Sequence, residues 1–118
     1  MSSENLTINY EQISADNDIN EITVFVDGSL DNYNYKEFIE KIDSLIKDNS
    51  PNLIFNCSNL DYISASGLGA FVEILRKVKE YGGSLVLVCL QPQVFEVFNI
   101  LGFSSFINII GRNSSFSI

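Results

Sequence analysis

Within ten residues, YISASGLGAF (62–71), the chain sets hydroxyls at Ser64 and Ser66 and glycines at Gly67 and Gly69, just ahead of an apolar run at helical spacing. Such a stretch can hold an anion or accept a phosphoryl group, because a helix start offers unpaired N–H groups and the positive end of a dipole. Glycines there let a second molecule approach the backbone. The purely local reading is a capping turn: Ser66 as N-cap, Ser64 closing the turn, Gly67 and Gly69 allowing close helix packing. On the residue chemistry alone the local reading is the stronger of the two. The centre of the stretch is Ala65, which carries no reactive group.

Catalytic readings fall away on composition. The chain contains no histidine, so a serine, histidine and acid triad is impossible. The glycine stretch lacks the lysine of a P-loop, and GLG is too short for a dinucleotide fingerprint. Asp31 and Asp61 could work as a carboxylate pair, but both stand in turn-like sequence where aspartate bonds its own backbone. Cys57 and Cys89 lie in apolar segments, and no third cysteine or histidine completes a metal set. They read as small hydrophobes in a reducing compartment. No catalytic residue, cofactor or metal is expected.

The elements that must position this stretch follow from periodicity. LTINYEQIS (6–14) alternates and predicts a strand, ADND (15–18) a turn, and EITVFV (21–26) a second strand, together an antiparallel hairpin. DGSLDNYN (27–34) has turn chemistry, with Gly28 free to take positive φ and Ser29 or Asp31 able to cap. Apolar positions Tyr35, Phe38, Ile39, Ile42, Leu45 and Ile46 draw one helical stripe over 35–47, which Pro51 and its neighbours stop. LIFNC (53–57) predicts a short buried strand, and 58–64 a loop. A helix over 66–81 follows, with Leu68, Phe71, Val72, Leu75 and Val78 on its apolar side and Ile74 off it. SLVLVCL (84–90) predicts a parallel strand covered on both faces. A proline-led helix from Pro92 to Gly102 comes next, then a last short element, FINII (106–110). The expected fold class is α/β: a single domain over 1–118, core about 6–110, with a small mixed sheet made of an N-terminal hairpin plus a βαβ unit and helices packed on it.

Bulk properties narrow the function. At 118 residues and 46% hydrophobic, the chain can bury roughly two-thirds of its unfolded surface and fold without staples. Seven basic against fifteen acidic residues give a net charge of −8, which excludes a phosphate-backbone partner. No apolar run is long enough to cross a bilayer, and no basic segment followed by an apolar core opens the chain. A cytoplasmic protein without membrane insertion is expected.

The order LIFNC, SNLDYI, SASGLGAFVEILRKVKEYGGSLVLVCL, then a proline-led helix ending in ILGF, resembles the STAS domain family, in particular the bacterial anti-sigma factor antagonists. GSLD (28–31) is similar to that family's loop between hairpin and first helix. The resemblance runs from about residue 6 to 110. It implies a non-enzymatic protein that binds an anti-sigma factor, often a serine protein kinase with an ATPase-like fold, and so frees a sigma factor. It also implies regulation: the kinase phosphorylates a serine in the loop before the second helix, and a metal-dependent serine phosphatase reverses it. A phosphoserine adds about −1.5 to −2 charges at a surface the partner must touch.

On this resemblance the regulatory loop is Ser64, Ala65, Ser66 and Gly67, and the expected partner contacts are Asp31, Asp61, Ser64, Ser66 and Leu68, with Ile74 as a further interface residue. The family's acceptor position falls on Ala65. An unregulated antagonist, an acceptor moved to Ser66 or Ser64, and an engineered replacement that mimics the unphosphorylated state all remain open. Alternative readings are a STAS subunit of a membrane transport or stress-signalling complex and a small nucleotide or phosphate binder.

Overall fold

The structure, a computed structural model, describes residues 5–14, 20–49 and 51–110. Strands β1 (Leu6–Ser14) and β2 (Asn20–Leu30) pair antiparallel from Leu6 opposite Gly28 to Ser14 opposite Asn20. The expected turn at 15–18 lies outside the described residues. β2 runs four residues past the expected end, because DGSL stays in the sheet. Gly28, at φ 106°, takes the register shift between positions 28 and 29, and a side chain there would strike the Asn5 carbonyl oxygen. The rest of the strand then pairs parallel with a short strand inside the segment expected to be loop.

Helix α1 (Tyr35–Asn49) buries Phe38, Ile42 and Ile46 as its stripe dictates. β3 (Asn52–Asn56), β4 (Leu60–Ile63), α2 (Ala65–Glu80), β5 (Ser84–Val88) and α3 (Pro92–Ile100) follow. A 3-10 turn (Phe103–Ser105) then leads to β6 (Ile109–Ile110). The sheet order is β1-β2-β3-β5-β6, with β4 beside the end of β2. From β2 onward the neighbours are parallel. Each crossover steps the same way across the sheet, so right-handed connections put all three helices on one face.

The core sits under that layer. Phe71 of α2 packs edge-on to Phe38 of α1 at 5.4 Å and Phe55 of β3 at 5.2 Å, and lies 6.0 Å from Phe98 of α3. Ile74 belongs to this core, not to an interface. Phe71, Ile74 and Val78 succeed one another at spacings of three and four, and all are fully buried. The expectation missed it because α2 packs against α1 as well as the sheet, so its buried arc is wider than one stripe.

A second correction concerns β5. Leu85 and Leu87 face the helices and are buried, but Val86 and Val88 are only half-buried on the other face, which carries no helix among the described residues. The strand is covered on one side. Cys57, just past β3, is buried and donates to the Phe55 carbonyl at 3.7 Å. Burial, with Cys89 nearby, pushes its thiol up to about 12. It is a core group without nucleophilic character at neutral pH.

Candidate functional site at the start of α2

Three helix starts gather at the carboxyl ends of the parallel strands, the edge where α/β sheets place their sites. α2 begins one residue earlier than its periodicity suggested. Ser64, not Ser66, is the N-cap: its backbone is extended and its Oγ accepts from the Gly67 N–H at 3.1 Å. Its own N–H donates to the Leu30 carbonyl at 2.9 Å, which ties the turn to the end of β2. Ala65 is exposed and Ser66 half-buried. Among the described residues, Ser66 Oγ has no hydrogen-bond partner. Of the two candidate hydroxyls, one is engaged by the fold and one is available.

The two glycines differ in kind. A side chain on Gly67 would come within 2.8 Å of both the Leu30 carbonyl oxygen and Ile63 Cγ1, so the residue is needed for packing. Gly69 is exposed, and a side chain there would meet nothing within 4 Å. The expectation that both serve close packing holds for Gly67 alone. Leu68, expected at the partner surface, is fully buried. The first turn of α2 points it inward beneath the loop, so its role is to seat the turn.

Asp31 is half-buried, and its Oδ1 accepts from the N–H groups of Tyr33 at 2.9 Å and Asn34 at 3.2 Å. Asn34, a fully buried polar residue, answers by accepting from the Asp31 N–H at 2.9 Å and donating to the Ser29 carbonyl at 2.9 Å. This reciprocal turn starts α1 and leaves Tyr33 standing 95% exposed. Asp61, on β4, is exposed and accepts from Gln91 Nε2 at 3.3 Å, while Gln93 Nε2 donates to the Asp61 carbonyl at 3.3 Å. Gln91 Nε2 also reaches the Ser58 carbonyl at 2.8 Å. These bonds hold the start of α3 against β4. Asp31 and Asp61 are thus engaged separately, and no contact joins them as an acid–base pair among the described residues.

Around these helix starts Tyr33, Asp61, Tyr62, Ala65 and Gly69 are exposed and Ser66 is half-buried, with Tyr62 54% exposed. Sequence reasoning singled out neither the two tyrosines, though both lie in segments expected to reach the partner, nor the two glutamines. The aromatic residues sit in turn-like sequence, and exposure of a tyrosine leaves no periodic signal. Farther along the helices, Asp43 of α1 meets Lys47 at 3.2 Å and Lys77 of α2 at 3.4 Å. Burial works against its charge, but the bond to Lys47 and the charges of both lysines prevail and hold its carboxyl below the ordinary range. Among the described residues no cluster of histidine, cysteine, aspartate and glutamate could hold a metal, and no helix is long and apolar enough to cross a membrane.

Comparison with known proteins fits this geometry. The chain is 31% identical over 94 residues to the anti-sigma-B factor antagonist of Bacillus subtilis (strain 168), covering 80% of this chain and 85% of that one. In structure it is similar to the anti-sigma factor antagonist SpoIIAA in its unphosphorylated form, with a TM-score of 0.72 and 19% identity over 93% of each chain. The phosphorylated form of Bacillus SpoIIAA gives a TM-score of 0.60 at 17% identity, over 92% of this chain and 97% of that one. The sequence profile of the STAS domain matches residues 11–114, through both helix-start turns and all three helices, and the chain belongs to the STAS domain family.

Proposed function

We propose that this protein is an anti-sigma factor antagonist, a non-enzymatic cytoplasmic regulator. It binds an anti-sigma factor with serine kinase activity and thereby releases a sigma factor. The observation that carries this reading is the family match running unbroken through the turn before α2. Tyr62, two residues before the turn's capping serine, and Tyr33, in the turn before α1, are both exposed. Partner contacts on this reading come from Asp61, Ser66 and the exposed rings of Tyr33 and Tyr62. Asp31, Ser64 and Leu68 shape the surface from below.

Ser66 is the acceptor hydroxyl on this reading. Ser64 is committed to its cap, Ala65 has no oxygen, and Ser66 lies in the first turn of α2, where a phosphate is tolerated by the helix dipole. A metal-dependent serine phosphatase completes the cycle. Added charge there disrupts the docking face and leaves the fold intact.

The test is a calorimetric titration of the chain with ATPase-fold serine kinases from the same cell, followed by mass spectrometry after ATP is added. Tight binding that weakens at least tenfold in Ser66→Glu, with label on Ser66, is expected. Failure of every such kinase to bind would overturn the reading. Ala65→Ser should create a second labelled position.

A further inference from the structure

The sheet face opposite the helices has no part in the loop surface. Among the side chains that alternate away from the core there are Thr23, Phe25 and Asp27 on β2, Ile54 and Asn56 on β3, Val86 and Val88 on β5 and Ile110 on β6, with polar residues at the β1 edge and at the strand starts. The parallel register aligns Phe25, Asn56, Val88 and Ile110 in one row, with Thr23, Ile54 and Val86 in the next. Phe25, Ile54, Val86 and Val88 are half-buried, and none is among the side chains packed against the core. Ile110 is 51% exposed.

Among the described residues, charge on this face has one sign. Glu11, opposite Thr23, and Glu21 and Asp27 border the apolar rows along β1 and β2. These three carboxylates make no ion pair among the described residues. Lys36, Lys41, Lys47, Arg76, Lys77 and Lys79, the six basic residues described, all stand on α1 and α2, in the other layer.

We propose that the helix-free sheet face is a second docking surface, and that its occupant is a protein segment with an apolar stripe flanked by lysine or arginine, such as a basic amphipathic helix. The apolar rows supply the contact area, and the carboxylates supply sign and orientation. A second copy of the chain fits poorly, since each copy has a net charge of −8 and would bring its own carboxylates to the contact. An anionic membrane is repelled for the same reason. The surface is independent of Ser66, so a partner held here stays bound whichever way the loop is set.

The test uses two synthetic 18-residue amphipathic helices with the same leucine stripe, one flanked by lysine and one by glutamate, titrated into the full 15N-labelled chain. Expected are amide shifts at Phe25, Ile54, Val86 and Val88 with the lysine peptide, and at least tenfold weaker binding of the glutamate peptide. Glu11→Lys with Asp27→Lys should also weaken the lysine peptide at least tenfold, with unchanged circular dichroism. Ser66→Glu should leave the affinity for the lysine peptide as it was. Equal affinity for both peptides, shifts confined to the start of α2, or no shifts at all would overturn the proposal. So would concentration-dependent dimerisation abolished by Val88→Ser, or sedimentation of the chain with phosphatidylserine vesicles.

Discussion

The two faces of the sheet use the same strands and nearly the same residue types, yet they do different work. Toward the helices, Val24, Phe55 and Leu87 are fully buried and meet the aromatic cluster centred on Phe71. Away from them, Phe25, Ile54 and Val88, each next door in sequence, are only half-buried and lie outside that core. A β-branched or aromatic residue is thus a poor guide to the core by itself. What separates the faces is topology: a sheet that always steps one way across its crossovers covers one side and leaves the other bare.

The largest expected effect tests that difference directly. Phe71→Ala should cost about 3–5 kcal/mol in urea unfolding, because three rings surround the lost one. Val88→Ala, on the bare face, should cost under about 1 kcal/mol. Similar costs at the two sites would mean the bare face is packed after all. Gly67→Ala should destabilise by about 1–3 kcal/mol, since the Leu30 carbonyl it meets cannot move without breaking the sheet. Gly69→Ala, in open space two residues on, should instead stabilise by up to about 1 kcal/mol. A thermal melt of the pair gives opposite signs if α2 is seated as described.

Ser64→Ala should remove about 1 kcal/mol with the loss of the cap, while Ser66→Ala stays within about 0.5 kcal/mol. Equal losses would make both serines structural and weaken the case for Ser66 as acceptor. The smallest effect belongs to the helix layer's own charges. The Asp43 carboxyl is held below its ordinary value of 3.8, so its contribution is present above that value and is lost as pH falls through the lower folded one. Asp43→Asn should cost under about 1 kcal/mol at neutral pH and flatten the acid limb of a stability–pH curve.

Much of the fold was legible because long periodic segments dictate their own state. The stripes on α1 and α2, the alternation of β1 and proline at the start of α3 all led to the observed elements. Legibility failed where a tertiary partner decides. LDYI (60–63) has loop-like neighbours and becomes β4 because the end of β2 offers it an edge. Ile74 looked peripheral until α1 widened the buried arc of α2. The apolar pattern placed a helix start near residue 66, and α2 begins at Ala65, but which serine caps it depends on one hydrogen bond, Gly67 N–H to Ser64 Oγ, that no spacing rule reveals.

The bond from Ser64 N–H to the Leu30 carbonyl joins residues 34 positions apart. Closing a loop of that length is an entropic cost that local helix formation does not meet, and parallel pairing of β2 with β4 has to come first. A nascent chain emerging from the ribosome can therefore form α2 before the turn in front of it has its final shape. The turn before α2 reaches its final geometry only when the first crossover and β4 are assembled on β2. On the proposed reading, an incompletely folded copy exposes the right sequence in the wrong geometry, and docking waits on the assembled sheet.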